Sequence, residues 1–340
     1  MKQPTRDMKA QHSGFSLVEI MVGMVIGLLT TLIIVQVFSV FEAQKRTTSG
    51  LADAQVNGSI ALYTIEQDLQ QAGYGLAPTQ NTPMACTSVN GIAVSPAAPA
   101  TDPLAPVLIT DGVSDTIYIR YSSAGTGGLP ITIQSIAPTP NDATVLSNFG
   151  CDKSDRAIQI NGPACDMASV TAVTASGVSP ATITLSTPVT GNEIACLSVW
   201  NDIKFEVLNN TLHRAGDPAV AEIVNLQAQY GLSADKNSNQ ITQWIDPSKL
   251  PATVNDRNRI KAVRVAIVAR NPKKESGAIT KSCSALDSAN PTGLCAWAGT
   301  ATSPAPAIDL SGIANWQNYR YQVFETIIPL RNVIWSKGHL

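Results

Sequence analysis

One apolar run near the N-terminus constrains this chain more than any other feature. Between Phe15 and Phe41 the only formal charge is that of Glu19. A helix over this run would be roughly 40 Å long at about 1.5 Å per residue, and the hydrocarbon core of a bilayer is about 30 Å thick. The run therefore predicts a helix that spans a membrane.

The helix is predicted to continue beyond its membrane-spanning part. No proline lies between Pro4 and Pro78, so nothing in the sequence forces a break before that point. In the second half, apolar and small residues recur in steps of three and four, which places them on one face of an α-helix. We therefore predict one helix over 15–77, apolar over 15–41 and amphipathic over 42–77. The apolar face of the second half consists of Leu51, Ala54, Gly58, Leu62, Ile65, Leu69, Ala72 and Leu76.

A short basic segment precedes the apolar run. Residues 1–14 carry three basic residues and one acidic residue. A secretory signal would place its small cleavage residue after the apolar segment, whereas here Gly14 comes before it. Cleavage after Gly14 would remove a leader over 1–14 and retain the helix. The alternative is an uncleaved single-pass anchor, which needs no particular residue at position 14 or 19.

The basic leader, Gly14, Phe15 and Glu19 together resemble the prepilin signature of type IV pilins and type II secretion pseudopilins. The resemblance implies that a membrane aspartyl peptidase cuts the Gly14–Phe15 bond and N-methylates the new terminal Phe15. It also implies that Glu19 contacts the terminal amine of a neighbouring subunit during assembly. Opposite charges attract strongly inside lipid, and an unpaired carboxylate there is penalised. The chain lacks the mid-helix proline that major pilins often have.

The remainder, 78–340, is predicted to be a β-rich domain. Short β-type runs are separated by Gly, Pro, Asn and Asp, and three stretches, 78–115, 236–251 and 271–315, are predicted to be loops or connections. The alternation in 260–270 predicts a half-buried strand. One long helix followed by antiparallel strands predicts a pilin-like α+β fold in which the helix packs on an antiparallel sheet. The predicted strands are 116–122, 131–136, 157–160, 181–186, 194–200, a hairpin over 203–214, 223–232, 260–270 and 319–330.

Four segments look like the PilW group of minor pilins and occur in the order of that group: 66–75, 226–231, 262–269 and 319–335. The group is similar to the J-type pseudopilins. The resemblance implies a structural subunit whose partners are other minor pilins, the major pilin, the prepilin peptidase and the inner-membrane assembly platform. Such a subunit helps to initiate pilus assembly and sits in a complex at the pilus tip.

The implied location is the inner membrane, crossed once with a cytoplasmic N-terminus and a periplasmic domain, and then the pilus. Two other functions stay open. The first is a J-type pseudopilin that serves type II secretion. The second is a pilin-anchored adhesin whose region 78–200 binds a surface or a glycan, which would need an exposed aromatic or polar pocket.

Six cysteines all follow the predicted helix. An even number in an exported chain predicts disulfides, although six cysteines allow fifteen connectivities. A metal site is disfavoured because no C-x-x-C spacing is present. Two pairs would close short loops and the third would be long-range. The predicted pairs are Cys151–Cys165, Cys283–Cys295 and Cys86–Cys196.

Little in the composition favours catalysis or nucleic-acid binding. The net charge is −2, only 14% of residues are charged, and there is no basic stripe. Beyond the leader the histidines are His213 and His339, and neither a G-x-S-x-G elbow nor a phosphate-binding loop is present. We therefore predict no enzyme, no catalytic residue and no cofactor.

A calcium site is the one weak metal candidate. Asp235, Asn237 and Asn239 place oxygen side chains at alternate positions, and Asp246 is the twelfth residue of the run. This spacing imitates a calcium loop, but the sixth position is Gln240 rather than glycine, and the bidentate Glu is missing. An ordinary Asn/Asp turn is the favoured interpretation.

Overall fold

A computed structural model shows two compact units, 1–50 and 51–340, which are described separately. The predicted leader up to residue 13 and residues 91–103 of the predicted loop 78–115 lie outside the described residues, as does His339. The described residues are 14–76, 86, 88–90, 104–125, 128–162, 164–175, 177–249 and 258–335.

The apolar run forms the first part of helix α1, Leu17–Gln71. In the first unit the large apolar side chains up to Phe41 are 48–80% exposed. The hydroxyls of Thr30 and Ser39 donate to helix carbonyls four and three residues earlier, both at 2.8 Å. Among the described residues, α1 is the one helix that is long and apolar enough to cross a membrane. Because these hydroxyls are hydrogen-bonded to carbonyls of the same helix, they are compatible with the interior of a membrane.

In the second unit, one face of α1 is buried against the β-domain. Ala54, Ala61, Ile65 and Leu69 are buried, and Leu62 is half-buried. The buried positions recur every three or four residues, as the apolar periodicity predicts.

The helix ends at Gln71 rather than at the predicted residue 77. Gly73 has a φ of +78° and Gly75 a φ of +71°, a left-handed conformation that glycine adopts without steric cost. The Gly73 N–H then donates to Arg120 O at 2.9 Å. Glycine therefore ends the helix before Pro78 is reached.

Among the described residues, the β-domain contains sixteen strands, one short α-helix and two 3₁₀-helices, Pro247–Lys249 and Trp316–Asn318. The elements are β1 Ser88–Asn90, β2 Val107–Thr110, β3 Thr116–Ser122, β4 Pro130–Ile136, β5 Asp142–Val145, β6 Arg156–Asn161, β7 Ala164–Val173, β8 Ala181–Leu185, β9 Glu193–Ser198, β10 Trp200–Leu208, β11 Thr211–Arg214, β12 Asp217–Ala221, β13 Ile223–Ser233, β14 Ile241–Ile245, β15 Ile260–Arg270, β16 Tyr321–Pro329 and α2 Arg331–Trp335.

Two antiparallel sheets carry the packed part of α1. Their strand orders are β12-β11-β10-β3-β2 and β14-β13-β15-β16. Gly58 of α1 faces the ring of Phe324 in β16, and Asp68 bonds to Arg214 in β11. Tyr230 of β13 links the two sheets, because its hydroxyl accepts the N–H of Ile109 in β2 at 2.6 Å. The predicted α+β class, a long N-terminal helix with an antiparallel β-domain, is confirmed.

A small closed barrel is inserted between β3 and β10. The six strands β4 to β9 pair in the order β7-β6-β9-β4-β5-β8, and β8 pairs again with β7. β1 adds to β7 in parallel. Closure pairs the strand edges, and the interior is filled by small and branched side chains. The two strands that flank the insertion pair directly, with Trp200 opposite Ser122.

Strand β15 is buried on both faces, so the predicted half-buried strand is wrong. The segment between β15 and β16 covers the face that would otherwise meet solvent: Leu294 and Leu310 pack on Val224 and Val268. The sequence period gives the two faces of a strand, but it does not show that a long connection folds back over one of them.

The connection between β15 and β16 also makes contacts with a buried arginine. Arg264 of β15 lies between the rings of Trp244 and Trp297, with its Cζ 5.1 and 4.8 Å from the ring centroids. Its Nε donates to Gln229 Oε1 at 2.7 Å, and a terminal nitrogen donates to Pro304 O at 2.9 Å. Burial lowers the pKa of Arg264 to about 10. Cation–π contacts and these hydrogen bonds compensate for the loss of hydration.

All six cysteines form disulfides in the structure, but two predicted pairs are wrong. Cys283 pairs with Cys295, as loop length predicts. The other pairs are Cys86–Cys165 and Cys151–Cys196, in place of Cys151–Cys165 and Cys86–Cys196. Barrel formation is the reason: it places Cys151 beside β9, so partners 45 residues apart in sequence become neighbours.

Several short strands were not predicted. β2 lies in the predicted loop 78–115, and β14 lies in the predicted connection 236–251. β5 and β7 belong to the barrel and were also missed. β2, β5 and β14 have only four or five residues, and β7 is rich in Ala and polar residues, so these strands are stabilised by their neighbours rather than by their own pattern.

Candidate functional site

The predicted cleavage bond lies in an accessible, non-helical segment. Gly14, Phe15 and Ser16 precede the start of α1 at Leu17. Phe15 is 80% exposed, and a Cβ built on Gly14 would have no neighbour within 4 Å. A peptidase that needs an extended substrate could therefore reach the Gly14–Phe15 bond.

Glu19 lies in the first turn of α1. Its backbone N–H donates to Ser16 O at 3.0 Å, which fixes the start of the helix directly after the cleavage bond. An acidic side chain in the first turn is favourably placed relative to the helix dipole. Glu19 is four positions after Phe15, so the new amino terminus and the carboxylate would be about one helical turn apart.

Glu19 is isolated from basic side chains along its own helix. The next cation in sequence is Lys45, about 39 Å away at 1.5 Å per residue. Glu42, the next acidic residue, instead pairs with Arg46 at 3.0 Å within α1. A partner for Glu19 inside an apolar environment must therefore be an amino terminus or a group on another molecule.

The apolar helix also carries a surface for close packing. Gly23 and Gly27 are four residues apart, and a Cβ at either position would meet nothing within 4 Å. Small residues at this spacing let membrane helices approach closely. A second helix could thus lie against the same segment that holds Glu19.

The structure does not gather the calcium candidates into one site. Asp235 closes a turn: its Oδ1 accepts the N–H groups of Asn237 at 2.8 Å and Ser238 at 3.1 Å. Asp246 follows the far end of β14, roughly 15 Å along the strand at about 3.3 Å per residue, whereas calcium needs oxygens at about 2.5 Å. Asn239 lies on the Asp235 side of this strand.

Other titratable groups do not form a metal-binding cluster within the described parts of the chain. His213 lies on β11, where Nδ1 is 3.3 Å from Gly216 O.

Asp68 and Arg214 form a structural ion pair, in which Arg214 Nε lies 2.7 Å from Asp68 Oδ2. The pair was not predicted, because its partners are 146 residues apart in sequence.

One buried carboxylate joins the two sheets and was also missed. Asp115 precedes β3 and is 1% exposed. It accepts the N–H of Ala228 at 2.8 Å and that of Gly112 at 3.1 Å. Burial raises the pKa of Asp115 to about 7, against the effect of these two hydrogen bonds; Asp111 and Asp246 raise it further. Burial, followed by the charge of Asp246, also raises the pKa of Asp111.

An exposed Gly–Phe bond, a lone Glu one turn later, an apolar helix and an antiparallel β-domain are together typical of the class of pilin-type proteins. Comparison with family models agrees with this class. The model of the prokaryotic N-terminal methylation motif matches residues 9–35, and that of type IV pilus-assembly protein W, PilW, matches residues 201–332. Together these matches support a type IV pilus minor pilin of the PilW group.

The PilW match begins in β10 and ends in α2, so it covers the two packed sheets apart from β2 and β3. The inserted barrel lies outside both matched ranges. No curated protein and no solved structure matches the chain. The pilin families point to a structural pilus protein that interacts with other pilus components.

Proposed function

We propose that this chain is a minor pilin that helps to initiate type IV pilus assembly and takes its place in a complex at the pilus tip. The observation that carries the proposal is the pairing of a methylation motif over 9–35 with a PilW domain over 201–332 in one chain. The first supplies the means of insertion into a filament, and the second belongs to a family described by its role in pilus assembly.

The proposed path has three steps. The chain first resides in the inner membrane, crossed once by the apolar part of α1, with the leader in the cytoplasm and the β-domain in the periplasm. The prepilin peptidase then cuts the Gly14–Phe15 bond, and Phe15 becomes the methylated terminus. Finally the assembly platform brings the processed helix against those of other minor pilins and of the major pilin.

Glu19 provides the register for the last step. The nearest basic side chain along its own helix is that of Lys45, about 39 Å away. Transfer of an unpaired carboxylate into a membrane or a helix bundle costs on the order of 3 kcal/mol, and a neighbour's terminal amine would remove that cost. Only one axial offset between two helices brings the amine and the carboxylate together, so the ion pair selects the position of the incoming subunit.

Substitution of Glu19 tests this mechanism. Glu19→Ala should leave cleavage after Gly14 intact and reduce the amount of the protein in sheared pili by at least about tenfold, because a buried pair is lost. Glu42→Ala is the matched control. It removes a carboxylate from the same helix, but that carboxylate already pairs with Arg46. Equal incorporation of wild type and Glu19→Ala would refute the role of Glu19.

A second experiment separates a pilus role from that of a J-type pseudopilin. In cells that lack this chain, we expect surface pili to be lost or sharply reduced while type II secretion continues. Loss of secretion with normal pili would instead identify a pseudopilin.

A further inference from the structure

An open groove lies at one end of the inserted barrel. β4 begins, and β5 and β9 end, at this end of the barrel, because β4 pairs antiparallel with both of the other strands. The groove has a volume of about 410 Å³. Its lining includes Leu129, Phe149, Gly150, Asp152, Asp155 and Ser198.

Large apolar side chains are exposed around this groove. Phe149 is 79% exposed and Leu129 is 51% exposed. Single exposed apolar residues are common on protein surfaces, but two large ones that line the same groove are typical of an interaction surface.

The loop that carries Phe149 is held in place. Asn148 is 9% exposed, and its Nδ2 donates to Thr174 O. Cys151 is tied to β9 by its disulfide with Cys196, and its N–H donates to Asn148 O at 3.0 Å. Phe149 is therefore exposed on a fixed loop, so a partner would lose little conformational freedom on binding it.

The charges of the groove are acidic. Asp152 and Asp155 both line it, and no cation is among the described lining residues. The Asp155 carboxylate accepts the N–H of Asp152 at 2.8 Å, which fixes the turn and orients this acidic rim. Aromatic and aliphatic groups beside two carboxylates are complementary to a basic side chain next to an apolar one.

We propose that this groove, formed by residues 124–125, 129, 149–150, 152, 155 and 198, docks a polypeptide segment of another pilus subunit. The segment presents an arginine or lysine beside an aliphatic or aromatic residue. The apolar side chain packs on Phe149 and Leu129, and the cation faces Asp152 and Asp155. The inference rests on the proposed pilus function and assigns a partner surface to the barrel, which neither family match covers.

Photo-crosslinking in intact pili tests the inference. The full chain carries p-benzoyl-L-phenylalanine in place of Phe149, pili are sheared and irradiated, and the crosslinked peptides are sequenced. The control position is Val113, which is 65% exposed and does not line the groove. We expect position 149 to crosslink to another pilus subunit at a peptide containing Lys or Arg, with a yield at least about tenfold above that at 113.

A charge variant completes the test. Asp152→Lys should lower the yield at least about fivefold, and Asp152→Glu should retain it, because the cation of the partner needs a carboxylate. The melting temperature of each variant, and its amount in pili, must equal those of wild type. A yield no higher than at Val113, a crosslink to a second copy of this chain, or no effect of Asp152→Lys would overturn the proposed docking. Absence of the unmodified chain from pili would instead overturn the proposed function.

Discussion

Gly58 of α1 lies against the aromatic ring of Phe324 in β16, so closely that a methyl group on Gly58 would overlap the ring. The absence of a side chain at position 58 therefore sets how near α1 comes to the four-stranded sheet. Phe324 also packs against the hydrophobic core that includes Ile65 and Val265. The sequence places Gly58 on the apolar face of α1, but it does not show that Gly58 contacts Phe324.

Enlarging residue 58 should destabilise the domain. We expect Gly58→Leu to lower the free energy of unfolding by about 1–3 kcal/mol through overpacking, even though leucine favours a helix by about 1 kcal/mol relative to glycine. Chemical denaturation of the detergent-solubilised chain measures this change. Ser59→Leu, at an exposed position of the same helix, is the control. If Gly58→Leu and Ser59→Leu change the free energy of unfolding equally, the close contact between Gly58 and Phe324 does not affect stability.

The ion pair between Asp68 and Arg214 should respond unequally to loss of its two partners. The Asp68 side chain is 6% exposed and the Arg214 side chain 39% exposed. Arg214→Ala leaves a buried carboxylate without its guanidinium and should cost about 3 kcal/mol, whereas Asp68→Ala leaves an arginine that water can reach and should cost about 1 kcal/mol less. Denaturation of both variants gives the order, and the reverse order would contradict it.

Asp115 should make stability depend on pH. Its pKa is raised by burial from 3.8 to about 7 in the folded chain, so the folded state binds a proton more tightly than the unfolded state does. The resulting stabilisation is complete below pH 3.8 and is lost as the pH rises to about 7. Relative to Asp115→Asn, wild type should lose on the order of 3 kcal/mol between pH 4 and pH 8. A constant difference over this range would contradict the burial of the carboxylate.

The disulfide arrangement can be read from peptides of the non-reduced protein. The structure predicts that the peptide containing Cys151 is linked to that of Cys196, and the peptide of Cys86 to that of Cys165. Replacement of Cys151 and Cys196 by serine should cost about 4 kcal/mol, because the closed loop spans 45 residues. A Cys151–Cys165 peptide would show that the barrel is paired differently.

The parts of this protein that follow a local period were predictable from its sequence. The apolar length of α1, the helical spacing of Ile65 and Leu69, and the position of strand β15 each depend on neighbours in sequence, although the burial of both faces of β15 does not. The barrel depends instead on pairing between short strands, so its closure and the Cys151–Cys196 bond were not predictable from any local pattern. The end of α1 was predictable only in part. Pro78 limits how far the helix could extend, but Gly73 and Gly75, at positive φ, end it earlier.

The functional residues also differ in whether they were predictable from the sequence. Gly14, Phe15 and Glu19 form one contiguous motif, so a linear pattern was enough to single them out. Phe149 and Leu129 meet only when the barrel closes, and neither residue stands out in the sequence. Sequence reasoning therefore favoured the processing site and overlooked the groove.

The most direct test of the central claim is mass spectrometry of the N-terminal peptide in sheared surface pili and in membranes. We expect a peptide that begins with N-methylated Phe15 in the pilus fraction, which requires cleavage after Gly14 and incorporation into the filament. An intact Met1 found only in membranes would contradict it and would indicate an uncleaved membrane anchor.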